Sequence, residues 1–120
     1  MYNKAVLIGR VVKDVEMKVT LSGISMARFT LAVNRIKPRD GKEGVTDFIR
    51  IIFWRRQAEI ANTYLKKGKL IAVEGRLQIS SYERDGETVK SAEIVGDTFQ
   101  MLDWGNESVE KSTEDLLERS

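Results

Sequence analysis

Arginines and aromatic rings recur together at alternating positions of several β-type segments in this chain of 120 residues. In 46–54, Phe48, Arg50, Ile52 and Trp54 share one parity. In 69–82 the polar parity includes Arg76 and ends at Tyr82, with Arg84 just beyond. In 24–35 the polar parity holds Arg28 and the segment ends at Arg35, while the first strand puts Lys4 and Arg10 on one parity. Alternate residues of a strand leave it on the same side, so each parity becomes a row on one face. Guanidinium and ammonium groups meet phosphate oxygens, and flat rings give unpaired bases a surface to stack on. Each such stack contributes about 1–3 kcal/mol without demanding a particular base.

Each of these side chains also has a plainer reading. In a small barrel Phe48 or Trp54 could pack under a helix, and a single surface arginine is commonly a solvated charge. The inference therefore rests on number and shared parity. Phe29 and Phe53 fall on the apolar parity and read as core. Tyr64 and Phe99 read as structural, and Trp104 has two open readings, packed or solvent-facing.

Composition narrows the chemistry further. The chain has neither Cys nor His, which excludes disulfides, thiolate nucleophiles, Cys-ligated metals, triad hydrolysis and two-His metal sites. The carboxylate pairs Asp14/Glu16, Asp40/Glu43 and Asp85/Glu87 stand in or beside turns with no base or metal-ligand pattern nearby. No glycine spacing matches a phosphate loop or a dinucleotide fingerprint. No catalytic residue, metal or cofactor is expected. A Ser/Lys hydrolase or nuclease survives on composition alone.

Charge is unevenly placed. The formal net charge of +2 hides 18 basic against 12 acidic residues in 1–102, and 2 against 6 in 103–120. A basic body with an acidic tail points to a polyanionic partner for the body. No apolar run reaches the roughly 20 residues of a membrane span, and the short run 5–8 is bracketed by Lys4 and Arg10. A cytoplasmic protein is expected, with no membrane partner.

Strands must carry most of these residues. Both parities of the first strand are largely apolar, which suits a strand buried on both sides or shared with a neighbouring subunit. Ser22-Gly23 marks a turn, and 24–35 then alternates, with Ala27, Phe29, Leu31 and Val33 on its core side. A loop is expected over 37–46, around Pro38, Gly41 and Gly44. The strand 46–54 follows. In 55–67 the period changes: Ala58, Ala61 and Leu65 sit at helical spacing, Gly68 is placed at C′, and Lys66 and Lys67 complement the last turn. The strand 69–82 puts Ile71, Val73, Leu77 and Ile79 on its apolar side. Asp85-Gly86 marks a hairpin to 88–95, and a short strand 98–102 ends the body. This order is that of an all-β OB-fold, a five-stranded Greek-key barrel with one helix between strands 3 and 4, and all-β proteins of other topology can share it. The domain is expected over 1–102, with 103–120 a short acidic, disordered tail.

Five blocks in order carry a resemblance. They are Met1-Tyr2-Asn3-Lys4-Ala5-Val6-Leu7-Ile8-Gly9-Arg10, Phe29-Thr30-Leu31-Ala32-Val33-Asn34-Arg35, Trp54-Arg55-Arg56-Gln57-Ala58-Glu59, Tyr64-Leu65-Lys66-Lys67-Gly68 and Val73-Glu74-Gly75-Arg76-Leu77. Together they resemble the bacterial and phage single-stranded DNA-binding proteins, and the third block looks most like the low-GC Gram-positive branch. The resemblance implies an OB-fold homotetramer that wraps single-stranded DNA with little sequence preference, in replication, recombination and repair. It implies base stacking on Phe48, Trp54 and Tyr82, and basic contacts from Lys4, Lys18, Arg50, Arg56 and Arg76. It also implies that the first strand contributes to a dimer contact. Two departures stand out. Ile36-Lys37-Pro38 replaces an aromatic common in relatives, and the acidic tip ending in Pro-Phe is absent, which leaves recruitment of replication and repair proteins doubtful. A short competence-type or phage-borne paralogue fits this pattern. An oligomeric, primosomal-type interaction module with secondary DNA binding is the alternative.

Overall fold

Alternation of β-branched and aromatic residues with polar ones gives 46–54 one buried and one open side, and its neighbours obey the same rule. The computed structural model describes residues 1–36 and 44–102. Six strands and one helix follow in the order β1 (Ala5–Val11), β2 (Glu16–Val19), β3 (Ser25–Asn34), β4 (Thr46–Trp54), α1 (Arg55–Tyr64), β5 (Leu70–Arg84) and β6 (Glu87–Met101). The sheet order is β1-β5-β6-β4-β3-β2, and a further pairing of β1 with β3 closes five of the strands into a ring. All pairings are antiparallel except β4 with β6. This is the expected OB barrel, with β2 as an extra strand hydrogen-bonded to β3 outside the ring.

Closure depends on one close approach. β1 passes β3 at Gly9, where a Cβ would collide with the carbonyl oxygen of Ala32. Inside the ring lie Val11, Ala27, Phe29, Leu31, Ile51, Phe53, Ile71, Val73 and Ile94, with Ala58, Ala61 and Leu65 completing the core at α1 and just beyond it. Phe53 stacks on Phe29 at a centroid distance of 5.9 Å and tilts against Phe99 at 5.4 Å. The core assignment of Phe29 and Phe53 and the structural role of Phe99 therefore hold. Tyr64 is exposed, so its ring is only partly used in packing.

Five details differ from expectation. α1 ends at Tyr64, and Leu65 at its C-cap is extended, so Lys66 and Lys67 lie beyond the last turn. Gly68 is not C′ of the helix. Its positive φ belongs to a turn tied to the end of β1 by the bond from Gly68 N–H to Val11 O, and to the segment after β1 by the bond from Lys67 N–H to Asp14 Oδ1. β2 was not foreseen, although Val15, Met17 and Val19 alternate with Glu16, Lys18 and Thr20. The segments 88–95 and 98–102 form a single strand, β6, with a register irregularity opposite Glu74/Gly75. Finally, Leu77 and Ile79 are exposed rather than core, because the β5–β6 hairpin runs out past the barrel. Asp85-Gly86 makes its turn as expected, with φ 53° and 81°. The expected 103–120 tail, Trp104, Asp40, Glu43 and most of the 37–46 loop lie outside the described residues.

Candidate nucleic-acid interface

Register shows which outward side chains become neighbours. Across β3 and β4 the outward pairs are Met26 with Trp54, Arg28 with Ile52, Thr30 with Arg50, Ala32 with Phe48 and Asn34 with Thr46. β2 adds Glu16 beside Arg28 and Lys18 beside Met26. The row through Arg28 continues across the buried side chains of Ile52 and Val95 on β6 to Arg76 on β5. From Arg76 the same side of the hairpin carries Gln78, Ser80, Tyr82 and Arg84. Phe48, Arg50, Trp54, Arg28, Arg76, Tyr82 and Arg84 thus share one outer surface, as their parities suggested.

The rings on this surface are open. Phe48 is 67% exposed, Tyr82 48% and Trp54 38%. Neither Phe48 nor Trp54 packs under the helix. Six residues separate Phe48 from Trp54 along β4, about 20 Å at the usual strand rise. Trp54 is also the residue at which strand becomes helix with no linker. Arg55, the first helical residue, has φ 59°, a left-handed conformation that costs a non-glycine residue about 1–2 kcal/mol. That abrupt turn brings Arg56 into the residues directly after Trp54, also exposed.

The cations divide into two groups. Arg50, Arg56, Arg76 and Arg84 have no ion-pair or hydrogen-bond partner among the described residues. Arg28 is half-buried and its Nε is enclosed without a hydrogen-bond partner among them. The others are engaged. Lys18 lies 3.3 Å from Glu16, and Lys4 lies 3.7 Å from Glu74. Arg10 donates from Nη1 to the carbonyl of Gly68 at 2.9 Å. Arg35 grips Asp47 with two bonds, Nε to Oδ2 at 2.9 Å and Nη2 to Oδ1 at 3.0 Å. The hydrogen bond from Arg35, helped by its charge, holds the Asp47 carboxyl below its ordinary value, while the same contact raises the arginine's.

A second outward surface lies on β1. Val6 and Ile8 are 57% and 56% exposed and sit beside Glu74 and Ala72 of β5. The two apolar sides expected for this strand are present: Leu7 and Val11 face the core and Val6 and Ile8 face outward. Among the described residues no cluster of Asp or Glu side chains could hold a metal ion. No described helix is long and apolar enough to cross a membrane.

A family model described as the single-strand binding protein family matches residues 2–102. A protein from Streptococcus pyogenes named single-stranded DNA-binding protein 1 is 47% identical over 105 residues, covering 86% of this chain and 80% of its own length. One of the same name from Staphylococcus aureus is 45% identical over 104 residues, covering 86% and 67%. Among solved structures, the Plasmodium falciparum SSB complex with ssDNA superposes with a TM-score of 0.78 at 29% identity, over 86% of this chain and 96% of that one.

Proposed function

The chain belongs to the single-strand binding protein family, and from that premise we propose that it coats and protects single-stranded DNA in replication, recombination and repair, without catalysing a reaction. The observation that carries this reading is the shared outer surface on which Phe48, Arg50, Trp54, Arg28, Arg76 and Tyr82 meet. Phosphates approach the guanidiniums of Arg50, Arg56, Arg76 and Arg84, which are unpaired among the described residues, and release counterions, and bases stack on Trp54, Phe48 and Tyr82. Arg28 gains a partner for a group that is poorly served in the free protein. Lys4, Lys18, Arg10 and Arg35 contribute only by exchanging a protein partner for a phosphate, so their share of the binding is smaller. Little in this arrangement discriminates between bases, because every base has a face to stack.

The working form is a homotetramer, with Val6 and Ile8 of β1 covered by a second copy. Exposed apolar side chains on a strand that is free along part of one edge support this. The compartment is the cytoplasm. Titrating the purified protein with oligo(dT) of defined length tests the central reading. Tight, salt-sensitive binding with Trp quenching is expected, along with far weaker binding of duplex and an intact labelled strand in Mg²⁺. Duplex bound as tightly as single strands contradicts it. The apolar groove of about 460 Å³ between α1 and β6, lined by Ile60, Tyr64, Phe99 and Met101, favours a second reading, a protein-interaction module. Tight protein capture with DNA affinity of micromolar or weaker would select it.

A further inference from the structure

Gln57, Ile60 and Tyr64 stand at i, i+3 and i+7 on one stripe of α1, and Phe99 and Met101 share one side of β6. Between them lies the open groove of about 460 Å³, which Thr98 and Gln100 also line. Ile60, Phe99 and Met101 are half-buried and Tyr64 is exposed, so each leaves part of its apolar surface in water. The groove shares no lining residue with the ring-bearing face.

The chain leaves the barrel at one wall of this groove. Leu102 N–H donates to the carbonyl of Leu70 at 3.0 Å, which holds the backbone in place one residue past Met101. Trp104 follows Met101 by three residues, roughly 10 Å of fully extended backbone. Gly105 comes next and lets the chain turn back. The exit also lies beside the turn that carries Lys66, Lys67 and Lys69, and these have no ion-pair partner among the described residues. Residues 103–120, with 6 acidic side chains against 2 basic, complement that charge.

We propose that the chain fills this groove with its own Trp104, which anchors the segment after β6 to α1. The flat indole covers Ile60, Phe99 and Met101 and packs beside the Tyr64 ring. Its N–H needs an acceptor once it leaves water, and Gln57, Thr98 and Gln100 bring side-chain oxygens to the groove. The anchor does not depend on what the ring-bearing face binds. The surface on which a protein-interaction module would rest is then already filled.

Trp54→Phe makes Trp104 the sole indole of the full chain, read by excitation beyond the tyrosine band. Its emission should lie at shorter wavelength than that of free tryptophan, and iodide should quench it several-fold less. Tyr64→Ser and Ile60→Gln, each added to that variant, should shift the emission to longer wavelength and restore quenching. Thermal melts confirm that both remain folded, and Tyr64→Ser alters a side chain that is already exposed. The chain has no cysteine, so Gln57→Cys with Asn106→Cys and a short bis-maleimide shows whose groove is filled. Cross-links should fall within single chains. Cross-links that join two chains overturn the proposal and give the groove to a second copy. Emission like that of free tryptophan, indifferent to Tyr64→Ser and Ile60→Gln, also overturns it and leaves the groove open to another protein.

Discussion

Two outward faces of the same barrel carry exposed apolar side chains, yet they differ in what surrounds them. On β4, Phe48 and Trp54 flank Arg50, whose guanidinium has no partner among the described residues, and Arg28 and Arg76 lie in the adjoining row. On β1, Val6 and Ile8 lie between cations already engaged, Lys4 with Glu74 and Arg10 with the Gly68 carbonyl. Exposed apolar area alone does not identify a ligand. Rings beside arginines open to solvent suit a polyanion with flat bases, whereas apolar residues beside cations already held by the protein suit another protein surface.

The largest expected break in this contrast comes from the rings. Trp54→Ala should weaken oligo(dT) binding by about 5- to 150-fold, the range of one lost stack. Adding Phe48→Ala should weaken it further. Sedimentation should show an unchanged oligomer in both variants. Ile8→Glu makes the converse cut: the species measured by mass should become smaller, while each chain retains its spectroscopic response to short oligonucleotides. An Ile8→Glu protein of unchanged mass would remove the assignment of β1.

Smaller effects sharpen the division among cations. Arg50→Met should reduce the salt dependence of binding by about 0.7 in log–log slope, the value of one phosphate contact on a single strand. Lys4→Met should reduce it less, because Glu74 already neutralises that charge. The smallest effect concerns Asp47, which is exposed. Its folded pKa lies below the ordinary 3.8, so the pair with Arg35 stabilises the fold above about that pH. That contribution is lost as pH falls through the folded value. Thermal melts of Asp47→Asn and the unmodified protein should therefore differ slightly at neutral pH and converge in acid.

The barrel was legible because period-2 patterning in 24–35, 46–54 and 69–82 is strong, and the Asp85-Gly86 turn leaves one geometry for its hairpin. The shared face of Phe48, Trp54 and Tyr82 followed from parity alone. Other features depend on tertiary context. The four residues of β2 make a short signal that only pairing with β3 completes. Helical spacing continued to Leu65 because that side chain is buried, although the backbone there has left the helix. Leu77 and Ile79 have core parity, but the strand outruns the barrel that would cover them. The sorting of arginines into open and engaged could not be read from spacing, since Asp47 and Glu74 come from other strands than their partners.

The most direct test of the ring-and-arginine face uses Trp54 as its own reporter. The chain has two tryptophans, so Trp104→Phe leaves Trp54 as the sole indole, read selectively by excitation beyond the tyrosine band. Titration of that variant with oligo(dT) should quench its emission to saturation, and added salt should reverse the quenching. Tight oligo(dT) binding that leaves Trp54 emission unchanged would contradict the account.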